Sequence, residues 1–123
     1  MRVLLDTNII IDYLHGKDDA VALLEQQNEF GISVITLAEL TFGAYKTKTP
    51  EKIIDQFQDF FHSSHIHVLE CSEKVAIAAG KLLASSEKKG KRLSEYDALI
   101  AATADVFGYK LLTLDKKLEG VLS

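Results

Sequence analysis

A parallel α/β sheet with helices on both faces is the fold this sequence predicts, and three observations carry it. Its short Val-, Ile- and Leu-rich runs are mostly apolar rather than alternating in polarity, as strands buried on both faces are. Longer stretches with helical spacing of apolar residues lie between them, the alternation that builds parallel sheets. Four acidic residues, Asp6, Glu39, Asp97 and Asp115, fall where a strand should end or a helix begin. In a parallel sheet such positions converge on one rim.

Val3 to Leu5 reads as the first strand, closed by Asp6-Thr7-Asn8, residues suited to turns and caps, with a helical pattern following through Leu14. His15-Gly16-Lys17 interrupts it. A second helix is expected over Asp18 to Gln27, a buried strand over Gly31 to Ile35, and a helix from there to about Tyr45. Thr49-Pro50 marks a helix start, with Thr49 as cap and Pro50 in the first helical position, leading an amphipathic helix to about Phe61. Ile66 to Leu69 forms the third strand. Ser72 opens a long helix that runs into the charged SSEKKGKR stretch, and Ser94 opens another to about Phe107. Lys110 to Thr113 makes the last strand, before a short terminal turn.

The 123 residues, 47% of them hydrophobic, fit one domain over 1–123 with no room for a second. A formal charge of −4 does not advertise nucleic-acid binding as a basic domain would. Without the four candidate acids, however, the remaining acidic residues equal the 14 basic ones, so the excess is accounted for by one prospective site. Cys71 is the only cysteine, which excludes an internal disulfide and a thiolate metal framework and fits a reducing cytoplasmic compartment. Asp6 and Asp12 cut the apolar start into pieces too short for a signal peptide or a membrane span.

Each acid has an ordinary structural explanation. Asp6 can cap a helix. Thr36-Leu-Ala-Glu39 and Ser94-Glu-Tyr-Asp97 both have capping-box spacing, and Asp115, followed by Lys116 and Lys117, suits a turn. Yet helical spacing sets Asp97 on one face with Leu93, Ile100, Ala101 and Ala104, and Glu39 with Ile35, Phe42 and Gly43. An unpaired carboxylate is costly to bury on such faces. Two unit charges ~4 Å apart repel by about 4 kcal/mol at an effective dielectric of ~20, so acids gathered on one rim would destabilise the fold unless a cation joined them. Mg²⁺ or Mn²⁺ takes oxygen ligands and lowers the pKa of bound water, which suits in-line attack on a phosphodiester.

Four motifs in order, LLDTNIII, ISVITLAELTFGA, EYDALIAATA and LLTLD, resemble those of PIN-domain nucleases over essentially the whole chain. Within them the chain is similar to the small VapC ribonucleases of toxin–antitoxin pairs. The resemblance implies a PIN-like doubly wound parallel sheet with an acidic pocket at the strands' C-terminal edge. It implies metal-binding, catalytic roles for Asp6, Glu39, Asp97 and Asp115, with Thr7, Asn8 and Thr113 orienting ligands or water. Glu39 is also a candidate for positioning the nucleophilic water. The family often carries an aromatic a few places after the last acid, where this chain has Leu118. Implied partners are an RNA substrate, a cognate antitoxin whose C-terminal tail wraps the toxin, and a second copy in a homodimer. Apolar residues of the second helix and of the helix from Pro50 are expected to form part of the antitoxin groove.

Lys88-Lys89-Gly90-Lys91-Arg92 suits either a solvated helix end or contact with RNA phosphates. His62, His65 and His67 resemble an imidazole cluster, but His62 ends a helix, where a basic group is favourable, and His65 and His67 are separated by one residue at a strand start, which favours structural roles over a zinc site. Phe57, Phe60 and Phe61 recur at near-helical spacing, which favours core or interface packing over base stacking. Two other functions stay open: a non-catalytic PIN scaffold that binds RNA or protein, and a phosphohydrolase using Asp6 as covalent nucleophile. The second would favour another Asp two residues on, where this chain has Asn8.

Overall fold

In the computed structural model, which describes residues 2–115 and 118, four parallel strands form one sheet. They are β1 (Arg2–Leu5), β2 (Glu29–Ser33), β3 (His67–Leu69) and β4 (Lys110–Leu112), in the order β3-β2-β1-β4. The chain therefore winds outward from β1 through β2 to β3, then returns to lay β4 on the opposite side of β1. The β1/β4 boundary is where the winding reverses, the place at which open α/β sheets bind ligands beyond their strand ends. Register pairs Leu4 with Gly31 on one side and Leu111 on the other.

Six helices connect the strands: α1 (Thr7–Leu14), α2 (Asp18–Glu25), α3 (Val34–Tyr45), α4 (Pro50–Ser63), α5 (Glu73–Lys88) and α6 (Glu95–Phe107). Successive residues of β1 supply opposite layers, as the strand's period of two requires. Val3 and Leu5 pack with Ile9 and Ile10 of α1, Leu24 of α2, Leu40 of α3 and Phe60 of α4. Leu4 packs with Ile100 and Ala104 of α6. Both faces are thus covered, which is why β1 has no polar position between Val3 and Leu5. Complete burial of Leu4 alone contributes about 1.5–3 kcal/mol. On the outer side of α6, Ala98, Ala101 and Ala102 join Val75 and Ala79 of α5 and Leu118 in a further cluster. Small side chains there let the two helices lie close. Leu118 is a fully buried part of this packing.

Several boundaries differ from those expected. The second strand ends at Ser33 rather than Ile35, because the Ser33 hydroxyl accepts the Ile35 amide at 3.0 Å and starts α3. Val34 and Ile35, β-branched and apolar, belong to the helix. Pro50 does stand at the start of α4, but Thr49 makes no side-chain capping bond; its amide donates to Thr47 Oγ1 at 3.3 Å instead. The expected terminal turn, with Lys116 and Lys117, lies outside the described residues. Among the described residues no helix is long and apolar enough to cross a membrane.

Candidate active site

β1 delivers Asp6 to the rim where the sheet's winding reverses. Its amide donates to Leu112 O at 3.1 Å, carrying the β1/β4 ladder one residue beyond the strands. Its Oδ1 accepts the Thr7 amide at 2.8 Å, capping α1, and its Oδ2 accepts the Thr113 hydroxyl at 2.8 Å. The residue is only 4% exposed. Burial pushes the Asp6 carboxyl above its usual range, the Thr113 and Thr7 bonds pull it back, and the charges of Asp97 and then Glu39 push it up again. Three of the four sequence-selected acids therefore share one electrostatic field.

Glu39 comes from α3. Its Oε1 accepts the Thr7 hydroxyl at 2.6 Å, and Thr7 Oγ1 also lies 3.2 Å from Thr36 Oγ1. Thr36 is not a cap, since Ser33 holds that role, so the Thr36/Glu39 capping box does not form. The spacing instead sets both residues against Thr7 of another helix.

Asp97 stands in the first turn of α6, capped by Ser94, whose hydroxyl accepts the Asp97 amide at 3.1 Å. The other half of that box is absent: the Asp97 carboxylate takes no hydrogen bond among the described residues. The far end of α6 explains its position. Gly108 adopts a left-handed φ of 73° that turns the chain into β4, and Arg2, at the start of β1, donates to Phe107 O at 3.4 Å while stacking 4.8 Å from the Tyr109 ring. With its C-terminus fixed beside the strands' beginnings, α6 presents its first turn at their ends.

Asp115 joins the site through Thr113, whose hydroxyl accepts the Asp115 amide at 3.0 Å while donating to Asp6. Asp115 Oδ1 accepts the Leu118 amide at 3.4 Å, the pattern of a turn or helix cap. Asn8 is exposed.

The side-chain ion pairs among the described residues are Lys17–Asp12 at 3.3 Å and Arg92–Glu95 at 3.5 Å, and neither involves Asp6, Glu39 or Asp97. No three His, Cys, Asp or Glu side chains among the described residues are close enough to form a preassembled metal cage. His62, His65 and His67 therefore form no such cage either. Lys88, the last residue of α5, and Lys89, Lys91 and Arg92 between α5 and α6 lie exposed, close in sequence to Asp97. Away from the rim, two recesses lie between α4 and the α1–α2 pair: one of about 510 Å³ beside Leu14, Gln56 and Ser63, and one of about 130 Å³ beside Leu24 and Phe30, with Phe60 shared between them.

The doubly wound sheet with carboxylates at its winding reversal defines a PIN-type fold, and the PIN domain family matches residues 3–121. This chain belongs to that family. It is 34% identical over 115 residues to ribonuclease VapC2 of Haemophilus influenzae, covering 92% of this chain and 86% of the relative. It is 31% identical, with the same coverage, to the tRNA(fMet)-specific endonuclease VapC of Salmonella typhimurium. Its structure resembles that of VapBC2 from Rickettsia felis bound to a promoter DNA fragment, with a TM-score of 0.83, 30% identity and coverage of 98% of this chain and 93% of the other. DNA-bound VapBC from Salmonella typhimurium gives a TM-score of 0.84, 30% identity and coverages of 98% and 91%.

Thr36 was visible in the sequence only as a possible cap. The signal for a different role, a hydroxyl facing another helix, depends on a contact 29 residues away in the chain.

Proposed function

We propose that this protein is a Mg²⁺- or Mn²⁺-dependent endoribonuclease, the toxin of a toxin–antitoxin pair. One observation carries the reading: the charges of Asp97 and Glu39 both act on the buried Asp6 carboxyl, and no cationic side chain among the described residues pairs with any of the three. Nearby like charges without a counterion suit a hard divalent cation. Mg²⁺ keeps several waters and is bound through one or two carboxylates, so it does not require a tight three-ligand cage. The VapC relatives named as ribonucleases support RNA as substrate.

When bound, the cation would supply Lewis acidity for a water nucleophile and neutralise charge on the phosphate. The chain's own residues prepare that chemistry. Thr7 and Thr113 each engage one Asp6 oxygen and so fix the carboxylate plane, leaving acceptor capacity on both oxygens. Thr7 holds Glu39 Oε1, which leaves Oε2 to bind the cation or to orient and deprotonate water. Asp97 offers both oxygens, and Asp115 adds a further carboxylate, linked to Asp6 through Thr113. The exposed basic loop before α6 would attract RNA phosphates toward Asp97.

The VapBC complexes among the structural relatives support an antitoxin partner. The recesses along α4, which α1 and α2 help to line, are its proposed seat. Placing Arg at exposed Ser63 should weaken antitoxin capture, and unchanged capture would remove that assignment. A homodimer is proposed as well, with exposed Phe42, Tyr45 and Ile77 as apolar surface a second copy would cover. Sedimentation of the antitoxin-free protein tests it.

The function itself is tested by purifying the protein free of antitoxin and incubating it with total cellular RNA in Mg²⁺, Mn²⁺ or EDTA. Discrete fragments formed with metal and suppressed by EDTA are expected. RNA binding without cleavage under all three conditions would favour a non-catalytic scaffold.

A further inference from the structure

We infer that Thr36 is a positioning residue for Glu39, acting through the Thr7 hydroxyl toward the divalent cation of the acidic rim; the inference rests on the metal-dependent reading above. A threonine inside a helix commonly returns its hydroxyl hydrogen to the carbonyl four residues earlier. Thr103 of α6 does so, donating to Leu99 O at 2.7 Å. Thr36, fully buried in α3, instead has Thr7 Oγ1 as its hydroxyl's partner, at 3.2 Å.

A hydroxyl carries one hydrogen. The Thr7 hydrogen goes to Glu39 Oε1, the shorter contact at 2.6 Å and the one with a carboxylate acceptor. The 3.2 Å contact is then a bond donated by Thr36 to Thr7. This sets a direction from Thr36 through Thr7 to Glu39. With its oxygen accepting from Thr36, the Thr7 hydroxyl is fixed as a donor, and it holds Glu39 by one oxygen with the other left for the cation. Without the Thr36 hydrogen, the Thr7 rotor loses that restraint and Glu39 gains freedom that cation binding must remove.

Outer partners of metal ligands typically change affinity or activity 10–100-fold, so a residue one bond further out should change it roughly three- to tenfold. The test is Mn²⁺ titration by calorimetry of chelator-stripped wild type, Thr36→Val and Thr36→Ser, with melting curves of the metal-free proteins. Thr36→Val should bind Mn²⁺ three- to tenfold more weakly and need correspondingly more Mn²⁺ for half-maximal RNA cleavage, roughly that same factor. Its rate at saturating metal should stay near wild type. Thr36→Ser, which keeps the hydroxyl, should bind like wild type. A merely structural role would lower the melting temperature and leave Mn²⁺ affinity unchanged. If Thr36→Val does not fold, Thr36→Ala serves as the hydroxyl-free variant with the same expectation. Wild-type affinity in the hydroxyl-free variant, or no rescue by Ser, overturns the inference while wild-type metal-dependent cleavage stands. If wild type takes up no Mn²⁺ and cleaves equally in EDTA, the metal reading falls and this inference with it.

Discussion

Thr113 Oγ1 donates to Asp6 Oδ2 at 2.8 Å across 107 residues of sequence, joining the end of the last strand to the end of the first. The same hydroxyl accepts the Asp115 amide, so one side chain orients the central carboxylate and anchors the loop bearing the fourth acid.

Thr113→Val keeps the shape and removes both bonds. The bond from Thr113 lowers the Asp6 pKa, so its loss should raise it further. RNA cleavage at fixed subsaturating metal should fall about 10–100-fold, the usual cost of losing an outer partner of a ligand. Initial rates, with circular dichroism to verify folding, check this.

Asp6 also sets a pH dependence of stability. Its carboxyl is raised in the folded state, so the folded protein holds that proton more tightly than the unfolded chain does. Stability without metal should therefore decline as pH rises from the ordinary carboxylate range through the raised folded value, then level off. Asp6→Asn should abolish this decline, melt higher than wild type in EDTA at neutral pH, and gain less from added Mn²⁺. Melting curves across pH, with and without metal, test all three.

His65 is the one described non-glycine residue with positive φ, at 50°. It follows α4, where the Ile66 amide returns to Phe61 O at 2.9 Å, an arrangement that glycine fills without strain. The left-handed conformation costs a side-chain-bearing residue roughly 1–2 kcal/mol, partly offset by glycine's greater freedom when unfolded. His65→Gly should stabilise by about 0.5–1 kcal/mol with cleavage unchanged. Urea denaturation reads the difference.

Reversing charge at Lys88, Lys89 and Lys91 should weaken RNA binding and flatten its salt dependence, because each lost phosphate contact removes released counterions. Binding measured in EDTA over a salt series separates this from catalysis. An unchanged slope would make the loop a solvated helix end.

Much of this fold was legible because its central strands are buried on both faces and its helices carry clear boundary signals, as at His15-Gly16 and Thr49-Pro50. Asp6 and Asp97 were readable as rim positions since each directly follows a strand or opens a helix. The second strand was misplaced because Val34 and Ile35 have strand-like side chains, while a single serine hydroxyl decides where the helix begins. Glu39 was legible as a candidate, but its bond to Thr7 was not: the capping-box spacing offered a local partner for an interaction that is tertiary. The Arg2–Tyr109 contact that orients α6 likewise joins opposite ends of the chain.

The most direct test of the acidic rim as a metal-dependent nuclease is Mn²⁺-supported RNA cleavage by Asp97→Asn beside wild type. Asp97 is half-buried, takes no side-chain bond among the described residues that Asn would break and keeps its amide bonded to Ser94, so the variant should fold normally. Removing its charge should cut cleavage by at least about 100-fold, with the wild-type protein silent in EDTA. A folded Asp97→Asn variant that cleaves as fast as wild type would contradict the account.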